Sequence, residues 1–299
     1  MYNIILLIIS MSACLLSGIL KKYSTGRFQN KQLMCHLFNT SVSLVSAISL
    51  LAMSKISHIS LFTILLGIAF GVTTALQQLF TLKAYETGPF AYTTVIMSLS
   101  TIIPTFSGHF IWGEEIAPVQ ILGIILMFVC IICSVNNGPN TKSHSKSSAR
   151  WLINTSIAFL CSGLIGVMQK FHQSSEYKLE LDGFLIIAFA ISFTYSLALF
   201  FVTASKQQTD KRQFAKTELK CAMLIIMLLC GIGDALNNKI NLYLSGIIDS
   251  AIFFPVVNGG NLILTTISSI LIFKEKLSLQ KWIGIAIGII AVILLCNPF

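Results

Sequence analysis

The chain alternates between long apolar runs and short polar segments. Ten of the runs approach the 20 or so residues that cross the hydrocarbon core of a bilayer. Because runs of this length are too long for strands, the pattern predicts helices. They lie near residues 3–20, 33–53, 60–82, 90–112, 118–135, 151–169, 183–203, 221–245, 249–273 and 281–297. The predicted fold class is an all-α integral membrane protein with ten transmembrane helices.

The least hydrophobic stretch lies near the midpoint of the chain. Residues 136–150 read NNGPNTKSHSKSSAR, which is polar and interrupted by Gly and Pro. Such a composition is typical of a linker. We therefore expect two five-helix halves, residues 1–135 and 151–299, joined by this linker.

The two halves resemble each other in sequence. Residues 74–88 (TALQQLFTLKAYETG) align with 234–248 (DALNNKINLYLSGII) at an offset of 160. Residues 111–126 align with 272–287 at an offset of 161. Because five is an odd number, the halves must enter the membrane in opposite directions. The sequence thus predicts two inverted five-helix repeats, an architecture of secondary transporters that bind their substrates near the bilayer midplane.

Composition strengthens the membrane assignment. Hydrophobic residues make up 55% of the chain and charged residues 10%, with a mean hydropathy of +0.82. Soluble domains carry about 25% charged residues, so a soluble enzyme or a disordered chain is excluded. The net charge of +9 comes from short basic clusters between apolar runs, as in cytoplasmic loops. We therefore expect no nucleic-acid partner and a multi-pass protein of the plasma membrane, in contact with lipid.

The basic residues also predict an orientation. Loops after the odd-numbered runs hold 16 Lys and Arg, whereas the opposite side holds four. The positive-inside rule places the richer loops in the cytoplasm and both termini outside.

A known family has the same layout of ten helices in two halves. In each half a short acidic turn precedes the last helix; the matching residues are Trp112-Gly113-Glu114 with Gly123, and Phe273-Lys274-Glu275 with Gly284. Over essentially its whole length the chain resembles the EamA-type repeats of the drug/metabolite transporter superfamily. The resemblance implies a small-solute transporter whose central cavity is lined mainly by helices 1, 3, 4, 6, 8 and 9. It also implies cytoplasmic termini, in contrast to the charge count.

Two helices carry matching polar stripes. The first polar stripe is Thr74, Gln77, Gln78 and Thr81, and the second is Asp234, Asn237, Asn238 and Asn241. The spacing i, i+3, i+4, i+7 puts each stripe on one helical face. An unpaired amide in hydrocarbon is costly, so these faces should turn toward a wet cavity or toward neighbouring helices. Their duplication favours a cavity.

Further candidate residues lie in the second half. Asp234 is the one acidic residue well inside a predicted span, and intramembrane charges are functional candidates. Lys239 lies five residues further on, and either binds solute or extends to the interface. Asn258 and Asn261 flank a Gly pair, which indicates either a cavity wall or close helix packing.

The expected function is secondary transport, in the export direction, of a small polar metabolite such as an amino acid. Gln77, Gln78, Asn237, Asn238, Asn258 and Asn261 would bind it through amide hydrogen bonds. Asp234 would carry a coupling proton or balance a positive group on the substrate.

The chain shows no P-loop, no nucleophile with its base and no metal-ligand spacing. We accordingly expect no enzymatic activity, cofactor or metal.

Two alternatives stay open. The first is a multidrug exporter of organic cations in the same superfamily, although the first helix lacks the membrane Glu of its four-helix relatives. The second is a non-transporting membrane scaffold.

Overall fold

The fold is built from helices. The computed structural model describes residues 2–28, 30–54, 59–115, 117–135, 145–207, 221–274 and 279–295. Within these ranges every regular element is helical, which confirms the all-α prediction. The helices are α1 (Tyr2–Thr25), α2 (Lys31–Met53), α3 (Leu61–Thr87), α4 (Phe90–Ser98), α5 (Ile102–Trp112), α6 (Pro118–Val135), α7 (Ser145–Gln173), α8 (Leu181–Lys206), α9 (Cys221–Ser245), α10 (Ser250–Leu271) and α11 (Leu279–Leu295).

Seven of the described helices are long and apolar enough to cross a membrane: α1, α2, α3, α7, α8, α9 and α10. Their large apolar side chains often point outward; Ile4 and Ile8 of α1 are 59% and 55% exposed. An apolar outer surface suits lipid contact, and these helices indicate a multi-pass membrane protein. The other three predicted runs fold into the shorter helices α4–α5, α6 and α11, so the count of ten spans stays a prediction.

The beginning of α7 differs from the sequence prediction. The α7 helix begins at Ser145, so residues 145–150 belong to it and not to the linker; Lys146, Ala149 and Arg150 are good helix formers, which explains the extension. Residues 136–144 lie outside the described ranges.

The run predicted as one helix over 90–112 is broken. A 3-10 turn at Leu99–Thr101 separates α4 from α5. Pro104 follows within three residues, and its ring and missing N–H disturb the helix one turn before it. The break turns Ser100 and Thr101 toward the middle of the molecule, where both line the cavity described below.

Helices pack across the two halves of the chain. α1 packs on α9, α3 on α7 and α8, α2 on α8 and α9, and α6 on α11. Glycines allow the closest approaches: Gly71 of α3 lies against the Ala188 carbonyl on α8, and Gly231 of α9 lies against the Val42 carbonyl on α2. Neither position has room for a Cβ atom, as is common where membrane helices touch.

Candidate functional site

A central cavity of about 220 Å³ lies between six predicted spans. Its walls come from α1, α3, the broken helix α4–α5, α7, α9 and α10. These are the first, third, fourth, sixth, eighth and ninth spans, the set that the resemblance implies. The cavity is enclosed on its flanks by packed helices and is lined by hydroxyl, amide and charged groups as well as apolar ones.

Both polar stripes face this cavity. All eight of their residues line it: Thr74, Gln77, Gln78, Thr81, Asp234, Asn237, Asn238 and Asn241. The α1–α9 and α3–α7 contacts place the two stripes on different walls. The stripe residues thus border one shared space, and several of them also bond to neighbouring helices, so both alternatives drawn from the sequence are represented.

An ion pair between α1 and α9 forms the charged centre of the cavity. Lys21 Nζ lies 2.7 Å from Asp234 Oδ2 and 3.0 Å from Oδ1. Ser17 Oγ donates to Asp234 Oδ1 at 2.6 Å, and Gln78 Nε2 donates to Oδ2 at 3.2 Å. Only 14% and 11% of the Lys21 and Asp234 side chains are exposed. A buried carboxylate held by three donor groups is well compensated, as burial of a charge requires.

Lys21 and Ser17 were not among the sequence candidates. Because the predicted first span ends at residue 20, the sequence places Lys21 in a loop, whereas α1 continues to Thr25. Without Lys21 the basic count of the richer side falls from 16 to 15. A signal was present: Ser10, Cys14, Ser17 and Lys21 follow one another at i, i+4, i+7 and i+11, a single small or polar face.

The amides of the second polar stripe bond to helices α1 and α9. Asn241 Nδ2 donates to Asn237 Oδ1 at 3.1 Å. Ser10 Oγ lies 2.7 Å from Asn237 Oδ1 and 2.6 Å from Asn241 Oδ1, and its single proton serves one of them at a time. Asn238 Nδ2 donates to the Asp234 carbonyl at 2.9 Å. These bonds orient the amides while leaving part of their hydrogen-bonding capacity for a solute.

Several cavity groups lack partners. Thr74 Oγ1, Thr101 Oγ1 and Asn261 Oδ1 are buried, line the cavity and have no hydrogen-bond partner within the described part of the chain. Asn258 Nδ2 donates to the Phe254 carbonyl at 3.0 Å, and Gln77 Nε2 to Thr81 Oγ1 at 3.3 Å. Leaving a buried polar group unpaired costs about 1–3 kcal/mol, so a polar guest that pairs with these groups is favoured.

Lys239 is the one predicted site residue that lies outside the cavity. Its Nζ lies 2.8 Å from Asp182 Oδ1 on α8 and 3.1 Å from the Met53 carbonyl at the end of α2. Five residues along a helix turn it well away from the face of Asp234. Lys239 therefore joins helix ends, and the solute-binding role predicted for it has no geometric support.

The cavity has two ends, which we name after the lysine at each. At the Lys170 end, Lys170 Nζ lies 2.7 Å from Glu114 Oε1. The same carboxylate accepts the Ser250 backbone N–H at 3.0 Å. One carboxylate thus connects the α5–α6 turn with the end of α7 and the beginning of α10. We call this connection the Glu114 latch.

Different contacts lie at the Lys22 end. Lys22 Nζ donates to the Tyr85 carbonyl at 2.7 Å and the Gly88 carbonyl at 2.9 Å, tying α1 to the end of α3. The Phe90 ring packs edge-on against Tyr85 and Phe273. The ends lie opposite each other because α7 runs antiparallel to α3, as the Phe62–Phe171 ring contact shows.

Comparison with known proteins shows the fold alone. No model of a known protein family matches the chain, and no curated protein matches it. Twenty-eight chains of solved structures are similar. One, described as "Crystal structure of protein", aligns with a TM-score of 0.61 at 15% identity, over 97% of this chain and 97% of that one. The helical arrangement is thus one that this solved structure shares over nearly its full length.

Breaking the ion pair from either side should destabilise the protein more than removing both charges. We expect Lys21→Gln and Asp234→Asn each to lower stability by about 3–5 kcal/mol, because each leaves a buried charge uncompensated. The double variant should recover much of that loss. Melting of the purified proteins in detergent measures this, with Lys239→Gln and Asp182→Asn as controls, because that pair is more exposed and worth about 0–1 kcal/mol. Additive losses would contradict the coupling of Lys21 with Asp234.

Proposed function

We propose that this protein is a secondary transporter of a small polar metabolite, working by alternating access in the plasma membrane. The single observation that carries the proposal is the polar cavity between six helices, with the Lys21–Asp234 ion pair in its lining. In a membrane protein, intramembrane charges and unpaired polar groups are costly and mark solute pathways. Export of an amino acid or a similar solute is the specific form of the proposal.

We further propose ten spans in two inverted five-helix repeats. Gly71 and Gly231 differ by the repeat offset of 160 residues, and each lies against a backbone carbonyl of the other half. The helix contacts follow the same repeat. The first and sixth spans are equivalent in the two halves, as are the third and eighth; the first packs on the eighth, and the sixth packs on the third. Both observations are expected of two repeats related by a pseudo-two-fold axis in the membrane plane.

The cavity chemistry favours a neutral or zwitterionic solute. Lys21 and Asp234 cancel each other's charge, so the centre offers one cation and one anion rather than a net field. A zwitterion can pair its carboxylate with Lys21 and its ammonium with Asp234, exchanging one ion pair for two. The volume of about 220 Å³ is below the roughly 300–1,000 Å³ of drug-sized pockets, which suits an amino-acid-sized guest.

The organic-cation exporter fits less well. An organic cation would need a carboxylate without a competing cation and walls built mainly of aromatic rings. Asp234 is instead paired with Lys21, and most of the lining residues other than Tyr85, Phe253 and Phe254 are not aromatic. A scaffold would have no use for a polar cavity with unpaired donors and acceptors, since close packing of apolar groups would be more stable.

The proposal includes a coupling role for Asp234. If a proton on Asp234 competes with Lys21 and with solute, its release and uptake would link solute movement to a pH gradient. If Asp234 instead pairs with the ammonium of the solute, it sets affinity. Both roles use the same carboxylate, and one substitution separates them.

Reconstituted transport tests the proposal directly. In proteoliposomes we expect the protein to move a zwitterionic amino acid, and Asp234→Asn to change that flux. A coupling role predicts that the variant keeps exchange at equal concentrations and loses accumulation driven by a pH gradient. A pairing role predicts that it loses binding.

Asp182→Asn is the matched control, because it also removes a carboxylate from an ion pair, but outside the cavity. If the unchanged protein moved no solute at all, the transport proposal would fail and the scaffold would be favoured. If Asp234→Asn behaved like the parent, only its proposed role would fall.

Alternating access requires the two ends to open in turn, and the Glu114 latch must break at the Lys170 end. We expect Glu114→Gln to open that end more often, because the amide cannot form the ion pair with Lys170.

Cys14 lines the cavity and serves as reporter in a variant whose other cysteines are replaced. An impermeant maleimide applied from the Lys170 side should label it faster in Glu114→Gln. The neighbouring exposed residue provides the control Glu115→Gln; equal labelling of both variants would exclude the latch role.

We propose the orientation that the basic residues predict, with both termini outside and residues 136–150 and 204–220 in the cytoplasm. A cysteine added after Phe299, in a variant free of other cysteines, should react with an impermeant reagent in intact cells. Labelling that appears only after lysis would instead support the cytoplasmic termini that the resemblance implies.

A further inference from the structure

A second concave site lies away from the central cavity, between α2, α3 and α7. It is a groove of about 320 Å³ at the Lys22 end of the molecule. Its lining combines charged, amide and hydroxyl side chains with the less polar Cys35 and Ile153: Gln32, Cys35, Lys83, Glu86, Thr87, Arg150, Ile153 and Asn154. We call it the interhelical groove.

Two cations in the groove have no acidic partner. Within the described part of the chain, neither Lys83 nor Arg150 forms an ion pair; the Lys83 ammonium lies 5.1 Å from the centre of the Phe80 ring. Glu86 also lines the groove, so the three charged residues leave an excess of one positive charge. The amides of Gln32 and Asn154 add hydrogen-bond donors. The groove therefore suits an anion.

The groove lies at the level of lipid headgroups. Arg150 directly precedes Trp151, whose Nε1 donates to Thr93 Oγ1 at 2.9 Å, and Trp side chains are typical of the membrane–water interface. Lys83 lies one turn before the end of α3. The proposed orientation places this end in the cytoplasmic leaflet, where anionic lipids are concentrated.

An apolar track leads out of the groove along α7. Ile153, at the groove edge, is 58% exposed, and Leu160 and Leu164 are 54% and 50% exposed. Spacings of seven and four residues place all three on one helical face. A ligand held by Lys83 and Arg150 would thus find exposed apolar side chains along one face of α7, running toward the bilayer centre.

We infer that the interhelical groove binds an anionic phospholipid. The phosphate of the lipid lies between the Lys83 ammonium and the Arg150 guanidinium, with Gln32 and Asn154 donating to its oxygens or to the headgroup. One acyl chain follows Ile153, Leu160 and Leu164. The apolar track distinguishes this ligand from a free phosphate, which would use the charges and not the track.

Titration of the purified protein in detergent tests this inference, because a ligand that binds the folded state raises its melting temperature. Dioleoyl phosphatidylglycerol should raise it, whereas dioleoyl phosphatidylcholine and inorganic phosphate should not. Lys83→Gln with Arg150→Gln should weaken the apparent affinity about thirtyfold, the attraction expected of two basic residues for an anionic headgroup. Ile153→Ser should weaken it as well. Lys83→Arg with Arg150→Lys should retain binding.

The matched control removes two exposed lysines elsewhere, Lys178→Gln with Lys206→Gln, and should leave the affinity unchanged. Equal stabilisation by phosphatidylcholine, or equal loss in the control, would overturn the inference. Stabilisation by inorganic phosphate alone would show an anion site that does not recognise lipid, and would also overturn it. If the doubly substituted protein does not fold, native mass spectrometry of the unchanged protein decides: retention of phosphatidylglycerol over phosphatidylcholine is expected, and no preference would contradict the site.

Discussion

The ion pair between Lys21 and Asp234 constrains the rest of the cavity. Two charges removed from water are stable only when each is compensated by its partner and by further hydrogen bonds. Ser17 and Gln78 supply those bonds from α1 and α3, and Asn238 bonds to the Asp234 carbonyl. The pair therefore fixes α1 against α9 and brings α3 to them, which places both polar stripes on a common space.

The helix contacts in the middle of the molecule differ from those at its two ends. Close glycine contacts at Gly71 and Gly231 join α3 to α8 and α9 to α2 without space for rearrangement. The contacts at the two ends are of other kinds: the Glu114 latch at one end, and the Lys22 hydrogen bonds with the Phe90 ring contacts at the other. A rigid middle with separable ends is what alternating access around a central site requires.

Much of the fold could be predicted because bilayer helices need long apolar runs, and each predicted run is helical over most of its described residues. The polar stripes could be assigned to a cavity because helical spacing fixes which residues share a face. The partner of Asp234 could not, because pairing between α1 and α9 joins residues more than two hundred positions apart. Lys21 also resembles a loop lysine until the true end of α1 is known. Lys239 is the opposite case. Its position in a predicted span made it a candidate for solute binding, whereas tertiary packing pairs it with Asp182 outside the cavity.

In the proposed transporter, the Lys21–Asp234 pair receives a solute carrying both charges. Thermal stabilisation of the purified protein by a metabolite set measures it most directly, since a ligand stabilises the state that it binds. Each amino acid in the set is accompanied by its N-acetyl and carboxamide derivatives, which lack the ammonium and the carboxylate respectively. We expect at least one zwitterion to raise the melting temperature and both of its derivatives to leave it unchanged. Equal stabilisation by a zwitterion and its carboxamide would contradict this expectation, because Lys21 would then contribute nothing to recognition.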